Sequence, residues 1–317
     1  MARSFTFASF LVLVSSACAS HTTTAGAPAS PAEQPAATAE PAAEESPVEW
    51  WTSKTPCADG ATLAGSAPPA GTEVSCVLGS MPHGPKTTFH KGGQRARSEV
   101  YYRGKLHGRF TVWHESGGVA EEGRYHDGRL EGRLVKYYES GAEHVEGEYR
   151  AGKESGIFKT YAENGERLEE VEYREGKRHG VSRRFHPNGK PSEEIAYASD
   201  VRHGDARTFH PGGTRRTEGK YSNGEQVGVW RSFRADGSPL EELHFAGGAK
   251  DGPTTRWQVS GVKEIEGSYK ADKKDGTFNY FDADGELQKT EEYKAGRLLR
   301  TKRHSKKDAS RKVALGG

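Results

Sequence analysis

The chain has 317 residues, 33% of them apolar and 28% charged. That is too apolar for a wholly disordered chain and lean for one thick core. The formal net charge of +2 is nearly balanced and implies no global attraction to nucleic acid or to a membrane surface.

Residues 1–18 read as an export signal. Arg3 is a thin positive start, and 5–14 is a ten-residue apolar run, too short to span a bilayer. "SSAC" (15–18) resembles a bacterial lipobox, with Cys18 as the lipidated first residue of the mature protein. It departs from that motif at Ser15, where leucine is preferred. Ordinary cleavage after Ala19 is the rival reading and would release an unanchored protein. Ala19 and Ser20 after the cysteine, in place of aspartate, point to an outer-membrane lipoprotein, with a periplasmic or secreted protein as the alternative. Residues 19–48 are rich in Ala, Pro, Thr, Ser and Glu and read as a disordered tether.

Residues 49–82 read as an N-terminal cap that begins with "VEWW" (48–51). With Cys18 lipidated, Cys57 and Cys76 remain as a pair in an oxidising compartment, and a disulfide between them is expected. In the chain-entropy account such a bridge stabilises by about 3 kcal/mol. Two cysteines without companion histidines do not make a zinc site.

From residue 83 to 296 the chain is an array. Gly84, Gly108, Gly132, Gly156, Gly180, Gly204, Gly228, Gly252 and Gly276 follow one another at steps of 24 residues. Counting each as position 0, a glycine recurs at position 9, an aromatic at position 5 (Trp113, Tyr137, Tyr161, Phe185, Phe209, Phe233 and Trp257 among them), and another at position 17 (Tyr125, Tyr149, Tyr173, Tyr197, Tyr221 and Tyr269 among them). A fixed period of this size means a repeat fold. Each unit reads strand, turn, strand, turn. Asn, Asp, Ser or Gly usually precedes the position-9 glycine, as a tight turn requires. A second turn centres on position 20, glycine in seven units and Asp200 or Asp272 in the others.

The units resemble MORN repeats, and most closely their bacterial variant form. Tyr173, Gly176, Lys177, His179, Gly180, Phe185, Asn188, Gly189 and Lys190 carry the match in one unit. The resemblance implies an elongated, single-layer antiparallel sheet of about nine β-hairpin repeats, an all-β fold. It implies a scaffold for protein partners, sometimes a lipid binder, and for some bacterial members an antitoxin-like role. Export fits poorly with a cytosolic antitoxin.

Register depends on the first turn. Pro187 and Pro211 at position 7 suit the second residue of a type I turn, with the position-9 glycine in the left-handed bulge site. This favours a three-residue loop and predicts both aromatic columns on one face, the candidate binding face, with position 15 (Gly123, Gly147, Val171, Ile195, Gly219, Leu243, Gly267) beside them. The other face would carry Glu122, Glu146, Glu170, Glu194, Glu218, Glu242 and Glu266, near Lys136, Arg184 and Arg256. Weak cross-strand ion pairs are the plain reading of this column. Its glutamates stand two strands apart, roughly 9.6 Å, too far for two to share one calcium ion.

Histidines precede the anchor at 83, 107, 179 and 203 and recur at position 6 at 90, 114, 186 and 210. Successive copies stand about 10 Å apart, so no zinc is shared between them. Ring packing at a turn is expected, with His179 beside Tyr173 and His203 beside Tyr197. No nucleophile recurs beside a base and the glycines are turn glycines, so neither an enzyme nor a cofactor is expected. Residues 297–317 form a basic tail, suited to anionic lipid, cell-wall polymer or an acidic partner, or to shielding the sheet edge. The sequence therefore points to an envelope lipoprotein, tied to the membrane by its N-terminal lipid, that scaffolds a protein partner. Lipid or cell-wall binding is the alternative, and no nucleic-acid partner is expected.

Overall fold

The computed structural model describes residues 49–305. The expected signal with Cys18, the tether and residues 306–317 of the tail lie outside them. The described chain is all-β apart from one 3-10 turn, Trp50–Thr52. Its 25 strand segments form one open antiparallel sheet in which chain neighbours pair. Four segments, such as Lys105–Leu106, are two-residue starts of a strand that resumes at the anchor glycine.

The repeat anchored at Gly108 shows how local chemistry sets the pattern. The strand Gly108–Trp113 ends where the His114 amide donates to the Gly118 carbonyl and the Gly117 amide to the His114 carbonyl, both at 2.9 Å. These bonds enclose a three-residue loop with Gly117 at φ 94°, a left-handed bulge site that a β-carbon disfavours. The same closure recurs at His186 and His210, so Pro187 and Pro211 occupy the expected place.

The next residues overturn the expected faces. Trp113 pairs with Val119, but Val112 pairs with Glu121, leaving Ala120 without a partner in the ladder. The same residue, position 12, is skipped in every repeat: Ala96, His144, Leu168, Ser192, Arg216, Leu240, Glu264 and Gln288. One extra residue per hairpin is a β-bulge, and because side chains alternate, it transfers the rest of the second strand to the opposite face. Position 17 therefore shares a face with positions 2, 4, 13 and 15, while position 5 shares one with positions 3 and 14. The two aromatic columns lie on opposite faces. Lys136, Arg184 and Arg256, at position 4, lie across the sheet from the position-14 glutamates. The expected loop is correct; the expected faces fail because that loop is followed by a bulge.

A second irregularity explains the anchor glycines. Between the pairs Ser98–Thr111 and Tyr101–Leu106, two residues stand opposite four. Gly108 bends the longer strand there at φ 106°, and the nine anchors span φ 66° to 118°. The second turn is a two-residue loop with both central residues left-handed, as at Asp127 (φ 47°) and Gly128 (φ 80°). Asp200 and Asp272 take the glycine's place at φ 70° and 64°.

A single layer cannot build a thick core, and this one buries a spine instead. Positions 2 and 15 alternate along the sheet as Phe110, Gly123, Leu134, Gly147, Phe158, Val171, Ser182, Ile195, Ala206, Gly219, Trp230, Leu243, Thr254, Gly267 and Phe278. Each ring of this row has a glycine on at least one side. A β-carbon on Gly147 would stand 2.4 Å from the Phe158 ring, and one on Gly219 2.2 Å from Trp230. Phe110, Leu134, Ile195, Ala206 and Phe278 are buried in this way within one layer.

The N-terminal cap adds the strands Thr62–Ser66 and Glu73–Leu78 and is continuous with the sheet. The Cys57–Cys76 disulfide joins it, with α-carbons 5.6 Å apart. Trp50, Val74 and Cys76 form its core, packed by Trp51, Cys57, Ala61 and Phe89. The Trp50 indole donates to the Thr87 hydroxyl at 3.1 Å.

Size complementarity along the spine makes Gly219→Val destabilising by about 1–3 kcal/mol through overpacking against Trp230. Combined with Trp230→Ala, which recreates the Ile195–Ala206 arrangement, its cost should shrink, so the double variant should melt higher than the sum of the single losses implies. Thermal melts of the four proteins check this coupling.

Candidate functional site

The thirteen rings expected on one face divide between two. Tyr125, Tyr149, Tyr173, Tyr197, Tyr221 and Tyr269 lie on the spine face, and Trp113, Tyr137, Tyr161, Phe185, Phe209, Phe233 and Trp257 on the other. All are half-buried.

On the spine face the tyrosines flank the position-2 rings. Phe158 meets Tyr149 and Tyr173 edge-on at 5.4 and 5.1 Å, and Trp230 meets Tyr221 at 5.2 Å. Cations at position 22 cover three of the tyrosines, among them Tyr197, with Arg178 4.4 Å from its centroid, and Tyr269, with Lys250 at 5.3 Å. Burial pushes the Tyr149, Tyr173 and Tyr269 hydroxyls up, so they stay protonated.

The opposite face is an ion-pair ladder. Between residues 146 and 242 the position-14 glutamates alternate with the position-3 cations Lys159, Arg183, Arg207 and Arg231 of adjacent strands. Arg183 lies 3.9 Å from Glu170 and 3.3 Å from Glu194, and Arg231 3.9 Å from Glu218 and 2.9 Å from Glu242. Lys159 reaches Glu146 at 3.4 Å, where Arg133 also binds at 2.9 Å and holds the carboxyl below its usual range. Each pair is at the surface and contributes at most about 1 kcal/mol. Arg184 instead bridges Glu169 (3.0 Å) and Glu193 (3.8 Å) on the spine face. Among the position-5 rings, Trp113 is covered by Arg95 at 4.4 Å and Phe185 by Arg167 at 5.4 Å. Tyr137 donates to Glu122 at 2.6 Å, and burial together with this bond pushes its hydroxyl up to about 12.

The histidines are two sets of hydrogen-bonding groups. At position 6, the Nε2 atoms of His90, His186 and His210 lie 3.0 Å from the backbone carbonyls of Trp113, Phe209 and Phe233, each in the next repeat. His114 reaches the Tyr137 carbonyl at 3.2 Å. Tyr138 and Gln258 make the equivalent bonds to Tyr161 and Phe281 at 2.9 and 3.4 Å. A carbonyl only accepts, so Nε2 carries the proton. Before the anchor the role is reversed. The amides of Arg103, Asp127 and Asn223 donate to Nδ1 of His83, His107 and His203 at 3.2, 3.5 and 3.4 Å. Glu131, Asp251 and Asp275 accept the same bond elsewhere. These rings pack on position 18, not position 17: His83 lies 5.4 Å from Tyr102 and His107 4.8 Å from His126. Tyr173 and Tyr197 pair instead with Arg178 and Arg202. Among the described residues, no group of three or more His, Cys, Asp or Glu could hold a metal ion. The residue types foreshadow both columns, since position 6 favours donors and the pre-anchor position acceptors.

Residues 106–127, 154–175, 178–198 and 274–295 match the MORN repeat variant. The chain carries MORN repeats of the variant type. Its other units keep the same period and the same two turns between these matches. Among solved structures, a chain of a crystal structure described as TcdB2-TccC3-TEV is 12% identical, with a TM-score of 0.17. The match covers 75% of this chain and spans only 17% of the other, and at that score it carries no argument. No curated protein matches the chain significantly.

Both ends of the MORN spine are closed by a buried glutamate at position 15, a feature that sequence reasoning missed. Glu99 accepts from Tyr101 at 2.8 Å and pairs with Arg97. Glu291 pairs with Lys289 at 2.8 Å and accepts from Tyr280 at 2.7 Å and Tyr293 at 2.8 Å. The Lys289 contact and the two hydroxyls hold Glu291 down at about 2.

Two outcomes follow from these contacts. His186→Gln should be nearly neutral, because Gln258 fills the same role, whereas His186→Leu should cost about 1 kcal/mol in a thermal melt. Addition of zinc should shift neither melt. Glu291 has a folded pKa below its ordinary value near 4.5, so its stabilisation is complete above that value and is lost as pH falls through about 2. Between pH 5 and 2.5 the wild-type protein should therefore lose more of its melting temperature than Glu291→Gln does.

Proposed function

We propose that the chain is an exported cell-envelope lipoprotein, anchored through Cys18, whose MORN array is a scaffold for a protein partner. The observation that carries the scaffold reading is the division of the rings: each face of one sheet offers half-exposed aromatics at every repeat, set among fixed ion pairs. Rigid aromatic and arginine-rich surfaces are the composition that protein interfaces favour. The reading as a binding module rather than an enzyme is supported by raised tyrosine hydroxyls and by recurring histidines that hydrogen-bond the backbone of a neighbouring repeat. A second reading, binding to anionic lipid or cell-wall polymer, is favoured by the exposed basic strand Arg297–Arg303.

In intact cells, Cys18→Ser should move the protein from the membrane pellet to the soluble fraction. A photo-crosslinker placed at Phe185 or Tyr197 should give one discrete protein adduct from one face. A variant that still pellets with membranes would sink the anchor, and adducts only to lipid or wall polymer would favour the second reading.

A further inference from the structure

Among the described residues, the array stops halfway through a repeat. Arg297–Arg303 is a first strand: it pairs on its inner side with Leu287–Lys294, and among the described residues nothing pairs with its outer side. In each of the nine complete repeats a first strand is covered on that side by its own second strand. Four of those nine covering strands share an acidic pattern. Positions 13 to 17 read Glu-Glu-Gly-Arg-Tyr at 121–125, Glu-Glu-Val-Glu-Tyr at 169–173, Glu-Glu-Ile-Ala-Tyr at 193–197 and Glu-Glu-Leu-His-Phe at 241–245.

The side chains of the open strand match that missing cover. Lys302 stands opposite Thr290, a position-14 residue, the place that Lys159, Arg183, Arg207 and Arg231 take opposite glutamates in the inner repeats. Arg183 and Arg231 each lie between two glutamates; Lys302 has Thr290 on its inner side and, among the described residues, no strand on its outer side. Arg300, Lys302 and Arg303 form no ion pair among the described residues, and every residue of the strand is exposed. An edge with free backbone groups is a template for one more strand.

We propose that this C-terminal edge takes an acidic extended segment of a partner protein as an antiparallel strand, with the pattern Glu-Glu-aliphatic-x-aromatic. The register copies the array, so that the second glutamate meets Lys302 and the aromatic continues the position-17 column. The inference rests on the reading of the chain as a protein scaffold and names where on it a partner attaches.

The probe is a labelled peptide with the sequence of residues 166–175, titrated by fluorescence anisotropy into the intact protein. It should bind, and its amides should protect 297–303 from hydrogen exchange. Lys302→Glu should weaken binding about tenfold, and a peptide with lysine in place of the second glutamate should regain affinity for that variant. Equal affinity for wild type and Lys302→Glu, or binding without protection of 297–303, would overturn the proposal. So would a dimer of the free protein that Lys302→Glu dissolves, which would give the edge to a second copy. Failure here leaves the scaffold reading to its own crosslinking test on the faces.

Discussion

A single extra residue in each hairpin, at position 12, decides where every later side chain of the repeat points. With it, position 14 meets position 3 and position 15 meets position 2. The glutamates then find arginines, and the glycines find rings. Without it, glutamates would oppose the spine residues, and the glycines of position 15 would lose the rings that face them. The bulge is thus the condition for both the ladder and the spine, and for a sheet that presents rings on two sides.

A one-layer sheet has no second layer to bury its apolar face, so stability accrues between neighbouring repeats. In the spine each ring fills space left by a neighbouring glycine, and Ile195 lies between Ser182 and Ala206. The histidine columns tie the turns of one repeat to the backbone of the next at both sheet margins. At the two ends the spine closes on Glu99 and Glu291, each satisfied by a tyrosine and a cation. The N-terminal end also has a tryptophan core and a disulfide, whereas the described C-terminal end is an exposed cationic strand. Thr62–Ser66 and Arg297–Arg303 each pair on one side only among the described residues, and the second alone is basic.

The period, the two turns and the Cys57–Cys76 bridge were legible because one residue type recurs at each decisive place. Pro187 and the position-9 glycines correctly indicated a three-residue loop. The bulge was not legible. Its residue is Ala96, His144, Leu168, Ser192, Arg216 or Glu264 in different repeats, because a residue outside the ladder is under no common packing demand. The spine was hidden for the opposite reason: complementarity makes position 2 phenylalanine in one repeat and alanine in another. Pairing information was nonetheless present in Lys159, Arg183, Arg207 and Arg231, four cations at position 3 that match the glutamates of position 14. The aromatic columns drew attention as one face, and the candidate surface is better described as two.

Register is open to a direct chemical test in one repeat. Arg183 and Glu194 are paired across the strands, whereas a hairpin without the bulge would pair Ser182 with Glu194. Cysteines at 183 and 194 should form a disulfide on mild oxidation, and cysteines at 182 and 194 should remain free thiols, since facing residues alone meet the geometric demands of the bond. Closure of the 182–194 pair with failure of 183–194 would place both aromatic columns on one face and contradict the account.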